Sequence, residues 1–407
     1  MECDMRSDDD RLSRKFHPSA PHVTRGDLSE QSIRKRLDLA RLSQAGRDAL
    51  ADEQTLVQCA RFARNIENFI GTVKVPVGLA GPLRINGTHA QGDYYIPLAT
   101  TEAALVASYS RGAQVITEAG GCAAALLAES VSRGPAFAFD DLQQATLFAS
   151  WISQQLATLR GVAEATTRYG KLQSLETTVE GNRVFLLAGY STGDASGQNM
   201  TTIATEALCR YIVEHCPLPV RYWFIEANFS GDKKATHQAL LGVRGKRVTA
   251  DVIVPAALVV QRLHTTADRL AEYSTASAVG AALSGSIGIH GHYANCLAAL
   301  YIACGQDPAC VAESATGISR FELDSYGNLY ATVTLPNIMV GTVGGGTGLP
   351  SQRACLEILG LREPHPARQL AEVCAGLCLA GELSISAAIC ADQFTAAHQR
   401  LARSDGT

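Results

Sequence analysis

Between residues 28 and 64, apolar positions recur at helical spacing. Ile33, Leu37, Leu39 and Leu42 fall among many charges, which predicts an amphipathic helical arm. The texture changes at Glu67. ENFIGTVKVPVGLAGPLRING is rich in Gly, Pro and Val and predicts strand and turn. A long run of small residues follows over 100–132. AFAF (136–139) reads as a short strand, and 140–163 has helical spacing. Segments 170–179 and 183–190 alternate like paired strands, with Gly181-Asn182 closing a hairpin between them. Helical spacing returns over 200–215, and 220–225 reads as a last strand. The order β-α-β-β-α-β is that of a ferredoxin-like unit, and its place predicts an insertion inside a larger domain. From Asn228 the chain is again small and apolar. ADVIVPAALVV predicts a strand leading into a helix. Residues 276–303 read as one helix, LYATVTLPNIMVGTVGGGTG as strand and loop, and 351–359 and 368–403 as helices.

The expected class is therefore α+β. A helical arm (1–64) precedes a large mixed helix/strand domain (65–134 and 227–407), which carries a small inserted domain (135–226). No solenoid repeat or low-complexity tract is visible.

Composition narrows the function. The chain has 407 residues, a net charge of −4, 46% hydrophobic and 18% charged residues, and 36 glycines. That length and apolar fraction imply several domains with a sizeable core. The balanced charge without basic blocks argues against a nucleic-acid partner. Twelve cysteines without a CxxC pair read as buried thiols in a reducing cytosol. The acidic opening, MECDMRSDDDR, predicts no signal peptide. The apolar stretch 370–391 contains Glu372 and Glu382, so a buried helix is expected there and no membrane span.

In a charge-poor chain, a charge among small or apolar neighbours is informative. Glu102 in ATTEAALVAS reads locally as a first-turn glutamate behind a threonine cap. The alternative is a carboxylic acid beside a reacting carbonyl. Lys233 and Lys234 in ANFSGDKKATH read as a solvated loop pair, or as an ammonium polarising a carbonyl oxygen with Asp232 orienting it. Asp307 is a turn residue before Pro308, yet a carboxylate at a helix C-terminus is mildly disfavoured by the dipole. His398 lies near the chain end, where a surface group is the ordinary reading. Its proton affinity suits a general acid near neutral pH. GTVGGGTG (341–348) is too flexible for a strand interior and suggests close backbone approach by a ligand. GDASGQNM (193–200) leads from a strand into a helix and supplies free N–H groups for an anion. Neither loop has the GxGxxG spacing of a dinucleotide fingerprint. HGH (290–292) lacks a third ligand, so no metal is expected.

Taken in order, ENFIG, PVGLAGPL, ATTEAAL, SRGP, GDASGQNM, GDKK, VRGKRV, SGSIG with HYAN, YIACGQD, GTVGGGTGLPSQ and ARQLAEVCAGLCLAGELS resemble the 3-hydroxy-3-methylglutaryl-coenzyme A (HMG-CoA) reductase family over residues 65–403. The similarity is closer to the NADPH-using biosynthetic class. It implies two-step reduction of HMG-CoA to mevalonate and free CoA with two NADPH, in isoprenoid biosynthesis. It also implies a cytoplasmic, soluble, membrane-free homodimer or dimer of dimers with active sites between subunits.

Residue by residue, the resemblance makes Lys233 the cation on the reacting oxygen and Glu102 the proton donor. Asp307 links these two, and His398 protonates the departing CoA thiolate. Arg133, Asp232, Lys234, His292 and Asn295 would hold the substrate. Arg168, Asp194, Ser196, Gly197, Gln198, Asn199, Met200, Gly344 and Gly345 would hold NADPH. As an acid, Glu102 is expected to be raised by burial and by the like charge of Asp307. Departures from the relatives fall at Ser196, Gln198, Glu226, Thr275 and Ala397. They bear on substrate affinity and nicotinamide preference. Two other readings stand beside this one: an NAD-dependent reverse reaction, and a catalytically silent CoA or nucleotide binder.

Overall fold

The computed structural model describes residues 21–23 and 26–391. His398 lies outside the described residues.

The chain divides into two units at Lys74/Val75. In the first, α1 (Glu30–Leu39), α2 (Gln44–Leu50) and α3 (Glu53–Val57) each start on a side-chain cap: Ser29, Ser43 and Asp52. The expected amphipathic arm is thus three short helices, and Ile33, Leu37 and Phe69 bury their side chains together.

The second unit is built on one large, mostly antiparallel sheet. Its elements are β1 (Val77–Gly87), β2 (Gln91–Ala99), α4 (Leu105–Glu118), β3 (Cys122–Arg133), β4 (Ala136–Ala138), α5 (Leu142–Ser153), α6 (Leu156–Glu164), β5 (Lys171–Glu180), β6 (Arg183–Ser191), α7 (Gln198–His215), β7 (Tyr222–Phe224), α8 (His237–Leu241), β8 (Gly245–Val254), α9 (Ala267–Ser284), α10 (Tyr293–Ala303), β9 (Ile318–Leu323), β10 (Leu329–Ile338), α11 (Pro350–Ile358) and α12 (Pro366–Cys390). The strand order is β7-β4-β6-β3-β8-β10-β9, with β5 on β6 and β2 on β1. β3 is the hinge of this order. Its first residues pair with β1 and β8, while Val131, Ser132 and Arg133 pair with β6. Side chains between Phe137 and Ile212 form their own apolar core, apart from the larger one around α10 and α12.

Two sequence expectations change here. Residues 276–303 are two helices, because Gly285 ends α9 in a left-handed conformation (φ 72°) and Gly288 (φ 100°) packs against the Gly317 carbonyl. The run 100–132, read only as small residues, supplies α4 and β3. Its small side chains serve close packing: a Cβ on Gly112 would collide with the Ala380 backbone of α12.

α12 is apolar and long enough to cross a membrane, yet most of it lies buried inside this unit. Both its glutamates are buried. Glu372 accepts from the amides of His89 (2.9 Å), Ala90 (2.7 Å) and Leu126 (3.2 Å) and from the Thr88 hydroxyl. Glu382 accepts from the amides of Gly291 (2.7 Å) and His292 (2.9 Å) and from the Ser319 hydroxyl (2.8 Å). Each carboxylate thus exchanges water for several donors. Replacing Glu372 by alanine strands three amide donors, at roughly 1–3 kcal/mol each. Glu372→Ala is expected to lower the urea midpoint markedly, and Glu372→Gln, which keeps an acceptor, less so. Equal midpoints for wild type and Glu372→Ala would refute the account.

Candidate active site

Three backbone segments are knitted together. After β6, residues 192–197 turn toward α7. Thr342 donates its amide to the Asp194 carbonyl at 2.8 Å, and Ala195 bridges to Val343 as a parallel strand pair. This approach requires glycine at 341, where a Cβ would overlap the Ser196 nitrogen and Ala195 carbonyl carbon. Gln306 in turn accepts the Gly341 amide at 2.8 Å, and Gly305 (φ 66°) lies against the Gly346 carbonyl. The predicted loops 193–200 and 341–348 therefore form one structure with the turn at 305–307.

On its rim stands a cation–carboxylate pair. Lys233 Nζ lies 2.8 Å from Asp307 Oδ2, with both side chains about two-fifths exposed. Lys233 holds φ 56°, an unusual backbone state for a residue with a side chain. The Asp307 hydrogen bond and charge raise the Lys233 ammonium above its ordinary value, against partial burial. For Asp307, burial pushes the carboxyl up, but the bonds from Lys233 and the Ala309 amide outweigh it. The group settles below the usual carboxylate range. Asp307 also caps the turn Pro308–Cys310 by accepting from Ala309 at 3.0 Å.

Behind the pair runs a chain of buried charges. Arg133, at the end of β3, meets Asp232 (3.2 Å), the Thr202 hydroxyl (2.9 Å) and the Gln198 carbonyl (3.1 Å). Asp232 also meets Arg244 at 2.7 Å, and Arg244 pairs with the buried Glu313. Burial pushes the Glu313 carboxyl up, with the Arg244 charge opposing it. Lys234 is exposed and donates to the Asp232 carbonyl at 3.0 Å. Burial of Lys246 lowers its proton affinity. It sits 3.7 Å from Glu129, which Arg368 also holds at 3.0 Å.

Glu102 stands before α4, not in its first turn. The helix begins at Leu105 after Ala104, which is left-handed at φ 70°. The Glu102 amide donates to the Thr100 hydroxyl at 3.0 Å, and its carboxylate meets the Asn295 amide at 3.5 Å. The side chain is exposed, so the expected burial is absent in the single chain. Among the described residues, no hydrogen bond or ion pair joins Glu102 to Lys233 or Asp307. His292 lies apart from the charged cluster, with both ring nitrogens engaged. Nε2–H donates to the Gly381 carbonyl at 2.9 Å, and Nδ1 accepts from the Tyr109 hydroxyl at 3.0 Å.

At the start of α7, Gly197 (φ 78°) caps the helix, whose first amides have no helical acceptors. Asn199 is exposed at that helix start, and Ser196 is half-buried beside it. Met200 packs beneath the 166–170 loop, where Thr167 meets its sulfur at 2.8 Å. Exposed Arg168 is carried on that loop. Gly344 and Gly345 are exposed, with φ of 78° and 55°, and a Cβ on either would meet open space. A flat ring can therefore approach this backbone, while α7 and Arg168 supply anion-binding groups. The residues fit a phosphorylated nicotinamide dinucleotide. Asp194 instead braces the loop from within. Its carboxylate accepts the Ala367 amide at 3.0 Å and fixes the start of α12.

Sequence reading gave no role to Glu129, Arg244, Lys246 and Glu313, although Arg244 and Lys246 lie in the VRGKRV motif. The signal was present, since Glu129 in AALLAESVSR is a charge among small and apolar neighbours, as Glu102 is.

A model of the hydroxymethylglutaryl-coenzyme A reductase family matches residues 32–403. A 3-hydroxy-3-methylglutaryl-coenzyme A reductase of Pyrococcus horikoshii is 43% identical over 349 residues, covering 84% of each chain. One from Aeropyrum pernix is 42% identical over 389 residues, 93% of this chain and 91% of its own. Among solved structures, the class II reductase of Streptococcus pneumoniae bound to NADPH superposes with a TM-score of 0.66 at 22% identity. It covers 88% of this chain and 86% of its own.

Proposed function

The chain belongs to the hydroxymethylglutaryl-coenzyme A reductase family, and on that premise we propose how its residues carry out the family's reaction, reduction of HMG-CoA to mevalonate and CoA. The observation that carries the assignment of roles is the Lys233–Asp307 pair at 2.8 Å on the rim of the knitted loops. The enzyme is an oxidoreductase, and NADPH when bound supplies a hydride in each of two reductions.

In both steps negative charge grows on the former thioester oxygen. Lys233 is the fixed cation for it, kept protonated by Asp307. Collapse of the hemithioacetal breaks the C–S bond. The departing thiolate takes a proton from His398, and Glu102 gives the proton that turns the aldehyde oxygen into an alcohol. Arg133 and Lys234 receive the substrate's free carboxylate, with Asp232 and Asn295 beside them. His292 contributes through the start of α10, since its ring is committed. Arg168, the 196–200 segment, Gly344 and Gly345 hold the dinucleotide, and Asp194 shapes its loop.

We read 135–226 as an inserted ferredoxin-like cofactor domain. The strand order β7-β4-β6-β5 and the separate core support this. A homodimer with sites between subunits accounts for the exposure of Glu102, which a partner chain would cover. The cytoplasm is the compartment proposed, in keeping with the free thiols.

The test is stoichiometric. Two NADPH oxidised per CoA thiol released is the expected result. A ratio of one would remove the second reduction. Absence of oxidation with either nicotinamide would overturn the assignment.

A further inference from the structure

Gln198 sits where three parts of the site meet. It is the first residue of α7, held in place by left-handed Gly197. Its carbonyl accepts from Arg133 (3.1 Å), Thr201 (3.0 Å) and Thr202 (2.8 Å). Its side-chain amide donates to the Cys310 sulfur at 3.0 Å. Cys310 is fully buried and ends the turn that Asp307 caps. The Cys310 amide also donates to the Asp307 carbonyl at 3.0 Å, and the Asp307 carboxylate holds Lys233. One residue thus reaches the substrate-carboxylate arginine through its backbone. Through its side chain it reaches the cation that faces the reacting oxygen.

We propose that Gln198 is a positioning residue that couples the start of the dinucleotide helix to the Lys233–Asp307 pair through Cys310. The proposal rests on the site reading given above, and it gives the Gln198 side chain a role other than cofactor contact. Burial keeps the Cys310 thiol protonated, since desolvation raises it well above its ordinary value. Its sulfur is therefore a neutral acceptor for the Gln198 amide. Any shift of α7 when the dinucleotide settles on its N-terminus moves the Cys310 turn with it.

The test is a double-mutant cycle on the full-length enzyme, with steady-state kinetics in both substrates. Gln198→Met keeps length but removes the donor, and Cys310→Ala removes the acceptor. Each is expected to lower kcat about 3–10-fold, the worth of one modest hydrogen bond. KM for NADPH should stay within about twofold of wild type, because the lost bond is to Cys310 and not to the dinucleotide. The double variant should be no worse than the poorer single one. Cys310→Ser keeps an acceptor for the Gln198 amide and should remain near wild type, which guards against a purely structural loss. Losses that multiply in the double variant would overturn the coupling. So would a rise in NADPH KM with unchanged kcat in Gln198→Met, since the side chain would then be a cofactor contact. Neither result touches the roles of Lys233 and Asp307, which stand or fall on substitutions at those positions.

Discussion

Lys233→Ala is expected to reduce kcat by about 10³-fold or more while leaving the fold intact. Removing one neutral donor from an oxyanion site costs about 10²–10³. On the proposed mechanism the donor is a full cation, used in both reductions of each turnover. The ion pair it makes is two-fifths exposed, so its loss has little bearing on stability. The loss should appear in kcat more than in KM for HMG-CoA, because the charge on the oxygen exists only beyond the ground state. Full turnover by this variant, measured as NADPH oxidation at saturating substrate, would sink the mechanism.

Asp307→Asn should have the second-largest effect, roughly a 10²-fold loss, and it carries a pH signature. In the wild type, the Asp307 hydrogen bond is the largest cause raising Lys233. Without it, partial burial is left to act and pulls the ammonium down. The alkaline fall in kcat/KM should therefore move to lower pH in Asp307→Asn. Both groups contribute to stability, with opposite pH dependences. Asp307, held below its ordinary value, contributes above that value and loses the contribution as pH falls through its native one. Lys233, held above its ordinary value, contributes below that value and loses it as pH rises through its native one. Both are present between about pH 4 and about pH 10. An unchanged alkaline limb in the variant would show that the pair does not govern Lys233.

The paired strands β5 and β6 were legible because alternation and a Gly-Asn turn are local signals. The break between α9 and α10 was not, because Gly288 is explained only by the Gly317 carbonyl that it meets in the fold. In the run 100–132, Leu105, Tyr109, Gly112, Val115 and Ile116 bury one face of α4 while Gln114 and Glu118 are exposed, so helical spacing was present there but was masked by the many small residues around it. Glu102, Lys233 and Asp307 stood out by charge contrast, and the fold brings two of them into contact. The partners of Arg133 and the engagement of His292 by Tyr109 and Gly381 depend on distant segments that sequence spacing cannot place together.

The two acids of α12 also matter before the chain is folded. The helix passes the length and hydropathy test for a membrane span. During synthesis, insertion machinery would meet it as a bare apolar segment. A charged side chain near the centre of a span adds a few kcal/mol to insertion, and here Glu372 and Glu382 each contribute such a cost. The same carboxylates that pin loops and a helix start in the native core thus bias the nascent segment away from the bilayer. Replacing both with apolar residues would remove a stabilising network and, in the same stroke, the sign that directs this segment toward a protein interior.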